Sequence, residues 1–486
     1  MLHRGIVTCK YMLGFIIYIV CALLLVAGYL WYGRLSEKVY GVDMQMTMPC
    51  ESKADGVDFV PLPMWKIFLI QLLNIAGLGP VVGAVSGCLF GPVALLWIVL
   101  GCIFAGAMHD FLSAVMSAGR GGENLPEIVG AELGKTARHA MRLVCIFLLL
   151  MVGVVFTLLP AGMVSKIFGL MSPMGWSIAI LTYYFLATIL PINAIIGRIY
   201  PFFGAIFLFM AVGMAVMLPV GGYEVLPNLD IFSNQHPKGI SIWPMLFVTI
   251  ACGAMSGFHA TQSPMMVRCL RKSADLRRVF YGAMVMEGLV ALIWCVVGLS
   301  LREVIVNGNE TLEQLILQNP SSAVHAAATL LLGTTGGMIA VLGVVVLAVT
   351  SGDTAMRSCR LMLADVLHVK QTRVLPRLAL AIPLFAVVIL ISQLDFSAIW
   401  RYFGWGNQCL ACFTLWSIAI CLRRKGRHCL MAMIPALFMT CMCTTFLLHA
   451  PECAIDLPLE VATPIGCAVA AICLVAFRRS TRTKAK

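Results

Sequence analysis

Charged residues are scarce in this sequence: only 12% of its 486 residues are Asp, Glu, Lys or Arg, whereas 60% are hydrophobic. Soluble domains carry about 25% charged residues and about 45–50% apolar residues, so the composition excludes a soluble fold. Long polar stretches are also missing, and no soluble domain, linker or low-complexity tract can be placed along the chain. The sequence therefore indicates a membrane protein made of apolar runs and short loops.

Motifs of enzymes and metal sites are absent as well. No HExxH, GxSxG or paired catalytic carboxylate motif occurs, so a membrane-embedded enzyme is the weakest functional hypothesis. The 19 cysteines lie mostly inside apolar runs, and no pair repeats with zinc-ribbon spacing. Cys409 and Cys412 form a single CxxC within a predicted span, where packing is favoured over a metal or redox role. We expect no metal and no cofactor beyond a coupling ion, H⁺ or Na⁺.

The 34 Lys and Arg residues outnumber the 22 Asp and Glu residues. A nucleic-acid partner would explain this excess, but the cations lie in short loops between apolar runs, as the positive-inside rule describes. That rule places the loops at 268–278, 357–377 and 423–427, and the C-terminus, in the cytoplasm. We expect a multi-pass protein of the bacterial inner (plasma) membrane, whose partners are the lipid bilayer, a small-molecule substrate and a coupling ion.

Apolar runs of about 20 residues recur along the chain, and each can cross the hydrocarbon core as a helix. We predict an all-α polytopic protein of about thirteen transmembrane helices, starting near residues 11, 65, 92, 141, 176, 200, 244, 280, 323, 374, 396, 428 and 458. Residues 1–63 would form an N-terminal span and an amphipathic or polar segment able to pack on the membrane surface. Residues 64–422 would form a ten-helix transport core, and residues 423–486 two additional spans and a basic cytoplasmic tail.

Two of the predicted spans are interrupted by residues that cannot continue a regular helix: residues 74–80 (NIAGLGP) and 253–264 (GAMSGFHATQSP). In lipid, such breaks must face protein or a wet cavity, and transporters build substrate sites from them. Counted from the second span, the breaks fall on helices one and six of a ten-helix unit, which is the signature of two inverted five-helix repeats. Close packing through small residues is the alternative explanation. The matched positions favour a binding site.

The candidate substrate-binding residues lie in these two breaks. Unwound backbone, polar side chains and helix N-terminal dipoles there can bind a carboxylate or a peptide. The candidates are Asn74, Ala76, Gly77 and Gly79 in the first break and Ser256, Gly257, His259, Thr261 and Gln262 in the second.

Asp110 and His259 are candidate proton-coupling residues. Asp110 lies within the third span, where an ionised carboxylate costs about 2.5–3.5 kcal/mol; its alternative roles are a structural salt bridge or a position near the cytoplasmic end. An imidazole titrates near neutral pH, so His259 also suits a proton, although a structural histidine is equally compatible. His109 points about 100° away from Asp110 around the helix, so the two need not act together. Glu287 is interpreted as an intramembrane ion-pair partner rather than a substrate ligand.

Thr350, Ser351 and Asp353 are candidate sodium-coupling residues at the end of the ninth span. In transporters of the ten-helix inverted-repeat fold, a Thr-Ser pair at this place can hold sodium together with carbonyls of the first broken helix. The alternative is that the hydroxyls bond back to their own helix. Asn407 and Gln408 on the eleventh span are explained equally well by interhelical hydrogen bonding and by transport.

The broken segments and their neighbours resemble the carbon starvation protein A (CstA) family. The resemblance is carried by DGVDFVP (55–61), NIAGLGPVVG (74–83), AGAMHDF (105–111), LFVTIACGAMSGFHA (246–260), YGAMVME (281–287) and DTAMRSCRLMLAD (353–365). It implies a plasma-membrane uptake system induced on nutrient limitation, with peptides and pyruvate as substrates. The chain departs from longer members at Gln71 and Leu72, where they carry two histidines, at His109, where they carry glutamine, and at 221–243, which replaces extra helices.

The leading hypothesis is an ion-coupled secondary transporter, a symporter that takes up peptides or pyruvate during carbon starvation by alternating access. The alternative is a membrane nutrient sensor that binds the same ligands without net transport. The absence of a sizeable cytoplasmic signalling domain argues against the sensor. The sequence leaves open the substrate, the choice between H⁺ and Na⁺, and the oligomeric state.

Overall fold

The computed structural model of the protein describes residues 2–192, 196–394, 396–450 and 455–482, which are almost entirely helical. Met1 and the predicted tail residues 483–486 lie outside the described residues. The helices are α1 (Leu2–Leu30), α2 (Tyr32–Tyr40), α3 (Pro49–Ser52), α4 (Met64–Ala76), α5 (Ala84–Gly87), α6 (Val93–Gly101), α7 (Ala107–Ala118), α8 (Leu125–Leu133), α9 (Lys135–Phe168), α10 (Pro173–Ile189), α11 (Ile196–Val220), α12 (Ile242–Thr249), α13 (Phe258–Val267), α14 (Gly282–Ser300), α15 (Leu312–Gln318), α16 (Pro320–Leu367), α17 (Val374–Ile391), α18 (Phe396–Arg424), α19 (Leu430–His449) and α20 (Leu459–Arg482).

Short elements complete the chain. Three π-helical turns and two 3₁₀ turns continue or connect the helices, at Gly79–Gly83, Cys102–Gly106, Arg277–Tyr281, Cys88–Phe90 and Ser273–Asp275. A small antiparallel hairpin pairs β1 (Ile305–Asn307) with β2 (Glu310–Thr311) in the connection from α14 to α15.

Ten helices in the described chain are long and apolar enough to cross a membrane, and the bent pair Met64–Ala76 and Gly79–Phe90 makes an eleventh span. The shorter apolar helix α10 and the interrupted pair α12 and α13 account for the remaining predicted spans. The prediction of an all-α polytopic membrane protein with two discontinuous helices is confirmed.

The central helices are those that carry the polar residues of interest. In the span formed by α14 and its preceding turns, 83% of the most apolar stretch is buried inside the protein. The corresponding share is 28% for the span that contains α1 and 17% for α20. Helices with apolar residues on all sides and buried faces belong to the middle of a bundle, whereas exposed apolar faces meet lipid. α14 therefore lies at the centre of the bundle, and α1 and α20 lie at its periphery.

The first break lies at Gly77 and Leu78, and the chain bends by 52° there. Gly77 has φ +48°, a conformation that side-chain-bearing residues rarely adopt. Asn74 to Ala76 still belong to α4, so the prediction of a break over 74–80 is right about its existence and begins three residues too early. A Cβ atom at Gly79 would lie 2.2 Å from the Cβ atom of Cys252, which shows that the two breaks touch.

The second break covers residues 250–257, between the end of α12 and the start of α13. The prediction of unwound chain over 253–264 is therefore wrong for its second half, because Phe258–Val267 is helical. The side chain of Asn407 explains the restart, since its Oδ1 accepts a hydrogen bond from the backbone N–H of Phe258 at 2.7 Å. An oxygen acceptor supplied by another helix satisfies a free helix N-terminus as a capping residue would.

The loops at 268–278, 357–377 and 423–427 gather at one end of the bundle, together with the segment that precedes α4. Leu62 donates its N–H to the carbonyl of Cys269 at 3.0 Å. Arg268 donates to the carbonyl of Gly122 at 2.9 Å, and Arg424 to Glu132 at 2.7 Å. Contacts therefore hold these loops on the same side, as the distribution of cations predicts.

The polar segment before α4, which the sequence makes able to pack on the membrane surface, packs in its last part against the bundle. Asp58 is 1% exposed and Leu62 is 3% exposed, so this part of the chain is inserted into the end of the bundle. The physical reason is a pair of buried arginines on α16, Arg357 and Arg360, which both bind the carboxylate of Asp58.

Candidate functional site

A chain of four buried ionisable side chains connects three helices beside the second break. Asp110 on α7 accepts hydrogen bonds from Nδ1 of His109 and Nδ1 of His259, each at 2.8 Å. The other ring nitrogen of His259 faces Oε2 of Glu287 on α14 at 3.5 Å. All four side chains are fully buried. The prediction that His109 and Asp110 need not act together is wrong, because the His109 ring turns back along the helix to its neighbour.

The contact between His259 and Glu287 requires a proton. Nδ1 of His259 donates to Asp110, so its Nε2 is the atom that carries or accepts the second proton. Without a proton between them, a nitrogen lone pair would face a carboxylate oxygen. Neither Nε2 of His259 nor either oxygen of Glu287 has a hydrogen-bond partner among the described residues. A proton on either group would bridge the two, and its exchange would leave the contacts with Asp110 in place.

Cys252 lies against this pair on the side of the second break. Its sulfur, Nε2 of His259 and a Glu287 oxygen are within 4.8 Å of one another, an arrangement that can hold a metal ion. The Cys252 sulfur also lies 3.8 Å from the hydroxyl of Ser256. The imidazole of His259 and the carboxylate of Glu287 are also placed to share a proton.

A second buried cluster joins the first broken helix to α16. The hydroxyls of Thr350 and Ser351 donate to the carbonyl of Leu73, at 3.0 Å and 3.2 Å. The Thr350 hydroxyl also lies 2.8 Å from the carbonyl of Val346 in its own helix. The geometry is compatible with both predicted roles of these hydroxyls. They face a carbonyl of the first broken helix, as a sodium site would need, and Thr350 also bonds back to α16.

Asp353 lies one turn further along α16 and is bound by two tyrosines. Tyr183 and Tyr200 donate to its carboxylate at 2.5 Å and 2.9 Å. The Tyr200 hydroxyl is also 3.1 Å from Oδ1 of Asn74. The predicted residues Asn74 and Asp353 are therefore brought together, through a tyrosine whose position the apolar pattern of the sequence does not reveal.

A cavity of about 300 Å³ lies beside the contact between the two breaks and is lined by residues of both. It is bounded by the first broken helix, the start of the second break and three other helices, including Gly79, Gly83, Ser86, Phe156, Thr249, Ala251, Cys252, Phe403 and Asn407. No Asp, Glu, Lys or Arg lines it in the part of the chain that the structure describes. The backbone N–H groups of Ala251 and Cys252 donate no hydrogen bond to any described residue. Backbone amides without a partner are able to bind an anionic oxygen.

Of the predicted substrate-binding residues, Gly79 lines this cavity. Ser256 and Gly257 support it from behind: the Ser256 hydroxyl donates to Asn407 at 3.1 Å, and a Cβ at Gly257 would lie 2.2 Å from the backbone nitrogen of Ala411. Both contacts hold the second break against α18.

The other predicted substrate-binding residues lie away from the cavity. Ala76 and Gly77 precede it on the first broken helix. Thr261 bonds to the carbonyl of Phe258 at 2.6 Å, and Gln262 accepts a hydrogen bond from Ser358 of α16 at 3.4 Å. Thr261 therefore bonds back to its own helix, and Gln262 connects α13 with α16.

Sequence reasoning gave too little weight to Asn407 and Cys252 and missed Tyr183 and Tyr200. A signal existed for Asn407, because an amide within an apolar run requires a hydrogen-bond partner. Tyrosine and cysteine are common in apolar spans, so their partners become visible only in three dimensions.

Two interrupted helices that meet inside a bundle, with a buried polar chain and a cavity at their junction, define a membrane transporter of the inverted-repeat class. Residues 13–172, 159–339 and 321–446 match the family described as carbon starvation protein CstA. The chain belongs to this family, whose members are transporters and not enzymes.

Three relatives illustrate the range of the family. An uncharacterized membrane protein of Haemophilus influenzae is 41% identical over 334 residues, covering 58% of this chain and 90% of that protein. The peptide transporter CstA of Escherichia coli is 26% identical, covering 84% of this chain and 77% of its own length. The pyruvate/proton symporter BtsT of the same organism is 26% identical, covering 53% of this chain and only 45% of its own length.

The fold is shared with solved transporters of other families. A crystal structure of the manganese transporter of Eremococcus coleocola, in complex with an aromatic bis-isothiourea compound, aligns with a TM-score of 0.55 and 12% identity. The alignment covers 89% of this chain and 99% of that one. At this identity the likeness shows the fold alone, and the fold agrees with the predicted inverted-repeat core.

Proposed function

We propose that the protein is a proton-coupled symporter that takes up a small monocarboxylate such as pyruvate by alternating access, and that it serves the cell during carbon starvation. The observation that carries the proposal is the buried chain from Asp110 through His259 to Glu287, which ends beside the cavity between the breaks. Buried ionisable residues inside a membrane bundle mark ion and proton pathways.

A proton fits this chain better than sodium does. A sodium ion needs several oxygen ligands around one point, whereas the chain alternates carboxylates with imidazoles. An imidazole nitrogen and a carboxylate oxygen at 3.5 Å can share and pass on one proton. The hydroxyls of Thr350 and Ser351, the sodium candidates, already donate to the carbonyl of Leu73. The name of the relative BtsT, a pyruvate/proton symporter, supports the same choice.

The cavity favours a monocarboxylate over a peptide. A free peptide is a zwitterion, and its ammonium group needs an acidic or several carbonyl partners when it leaves water. No carboxylate lines the cavity within the described residues. The free N–H groups of Ala251 and Cys252 supply partners for one carboxylate, and Phe156 and Phe403 supply apolar walls for a short tail.

Alternating access requires one end of the bundle to face the cytoplasm and the other to face the outside. With the cationic loops in the cytoplasm of a bacterial inner membrane, the segment before α4 closes the cytoplasmic end. The residues that line the cavity beyond the breaks, Thr249 of α12 and Ser86 of α5, then lie towards the outside. In this proposal the C-terminus is cytoplasmic and the described state is closed to the cell interior.

We expect pyruvate, but not dialanine, to protect Cys252 from a small maleimide in the purified protein, because Cys252 lines the cavity. Labelling of each cysteine would be followed by mass spectrometry of its peptide. The exposed Cys467 is the control, and its labelling should not respond to either compound. Protection by dialanine alone would show that the substrate is a peptide and not a monocarboxylate.

The transport step itself is tested in proteoliposomes with labelled pyruvate. An inward pH gradient should drive accumulation above the external concentration, whereas a sodium gradient of equal size should not. A nutrient sensor would bind pyruvate without accumulating it, so binding without uptake would favour the alternative function.

A further inference from the structure

Residues 55–62 form a short segment that is held rigidly across the cytoplasmic end of the bundle. The carboxylate of Asp55 accepts the backbone N–H groups of Val57, Asp58 and Phe59 at 2.8, 2.9 and 2.8 Å. The N–H of Leu62 bonds to Cys269 at 3.0 Å. These bonds fold the segment into a tight turn that directs the side chain of Asp58 into the bundle.

Asp58 meets two arginines of α16 there. Its Oδ1 accepts from Arg357 at 2.7 Å, and its Oδ2 accepts from Arg360 at 3.0 Å. The three side chains are at most 2% exposed. Burial alone would raise the pKa of Asp58, but the guanidinium groups of Arg360, Arg357 and Arg268 outweigh it and hold this pKa below its ordinary value. The carboxylate is therefore ionised at physiological pH.

The arginine pair has more binding capacity than Asp58 uses. Two buried cations face one carboxylate. Arg357 also donates through Nη2 to the carbonyls of Ala187 and Leu190. Nε of Arg357 and both Nε and Nη1 of Arg360 have no hydrogen-bond partner among the described residues. The nearest carboxylate on the same helix, Asp353, is bound by Tyr183 and Tyr200. Buried guanidinium groups with unused donors are costly unless an anion binds them.

The pair also lies on the route out of the first break. Ser351 bonds to Leu73 at the break, and Arg357 and Arg360 follow on the same helix. At 1.5 Å per residue they are about 9 and 14 Å further towards the cytoplasmic end. A substrate that leaves the breaks towards the cell interior would pass the arginines before it reaches water.

We propose that Arg357 and Arg360 form a second carboxylate-binding site on the cytoplasmic side, which Asp58 occupies while this end is closed and the carboxylate of the transported molecule occupies when the segment 55–62 moves away. The proposal rests on the proposed function for the class of substrate. Exchange of one carboxylate for another keeps the charge of the buried site constant. Such an exchange avoids the cost of leaving two arginines unpaired.

The test is pyruvate binding to the purified protein by isothermal titration calorimetry. The variant Asp58→Asn should bind pyruvate at least about tenfold more tightly, because an internal competitor lowers the apparent affinity for any ligand of the same site. Adding Arg360→Gln to Asp58→Asn should cancel the gain. Asp275→Asn is the matched control, since Asp275 pairs at the same end with the exposed Arg278, and it should leave the affinity unchanged.

Native cysteines report the movement of the segment independently. Cys269 is fully buried, and its sulfur lies 3.6 Å from the carbonyl of Asp58. In inverted membrane vesicles, Asp58→Asn should accelerate maleimide labelling of Cys269, whereas Asp58→Glu, which keeps a carboxylate, should react more slowly than Asp58→Asn. Size-exclusion chromatography of each variant checks that it is folded.

An unchanged affinity together with unchanged labelling in folded Asp58→Asn would overturn the proposal. Faster labelling without tighter binding would also overturn it. The arginines would then only hold the segment 55–62 in place and would not bind the substrate. Binding in detergent does not require transport. A failure of pyruvate uptake in proteoliposomes would therefore count against the proposed function, and the binding and labelling results would still test the second site.

Discussion

Asp110→Asn is expected to abolish pyruvate uptake driven by a pH gradient, down to the level of liposomes without protein. The amide has the shape of the carboxylate but cannot be ionised, so His259 loses the charged partner to which it donates at 2.8 Å. A histidine without that partner no longer holds its second proton beside Glu287. Exchange of labelled for unlabelled pyruvate at equal pH needs no net proton movement and should survive.

The measurement compares a pH gradient with a sodium gradient for the native protein, Asp110→Asn, His259→Ala and Thr350→Ala. Thr350→Ala should retain proton-driven uptake, because its hydroxyl serves only carbonyl groups. Glu51→Gln, at an exposed carboxylate, is the matched control. Proton-driven uptake that survives both Asp110→Asn and His259→Ala would show that the proton is carried elsewhere. Uptake that responds to neither gradient would contradict the proposal that the protein is a symporter.

Gly253→Ala is expected to give a large loss of stability, because the position combines backbone strain with overpacking. Gly253 has φ +87°, and a Cβ atom there would lie 2.4 Å from the Cβ atom of Ala291 on the central helix α14. Backbone strain and overpacking each cost about 1–3 kcal/mol, so we expect a total of about 2–6 kcal/mol. Fluorescence-detected size-exclusion chromatography after heating would show a lower temperature of aggregation.

A second substitution separates the two causes. Ala291→Gly removes the atom that the new methyl group meets, so the double variant should recover the part of the loss due to overpacking and retain the part due to strain. Gly162→Ala on α9 is the control, because a Cβ there meets nothing within 4 Å, and it should be neutral or stabilising. A Gly253→Ala variant as stable as Gly162→Ala would contradict the described geometry of the second break.

Some features of the candidate site could be predicted because they depend only on residues that are close together in the sequence. Gly77, Gly79 and Pro80 stand within four residues of one another and all disfavour a regular helix, so the first interruption follows from the local sequence. Asp110 was identifiable because a carboxylate inside an apolar run needs a partner. Which partner it has was not predictable, since His259 is 149 residues away.

The errors have the same origin. The restart of the second broken helix at Phe258 depends on Asn407, which is 149 residues away along the chain. The burial of Asp58 depends on Arg357, which is 299 residues away. No local pattern contains such pairs, and one hydrogen bond or ion pair decides each position.

The sequence by itself determined that the chain crosses a membrane many times and that two of its helices are interrupted, although not the limits of the interruptions. Those features depend on apolar length and on glycine and proline, whose effects act within a few residues. The tertiary structure alone decided that His109, Asp110, His259 and Glu287 form one chain and that Asp58 is buried against two arginines at one end of the bundle. The reason is that buried polar groups must find partners inside the bundle, and only the packing of distant helices determines which partners are in reach.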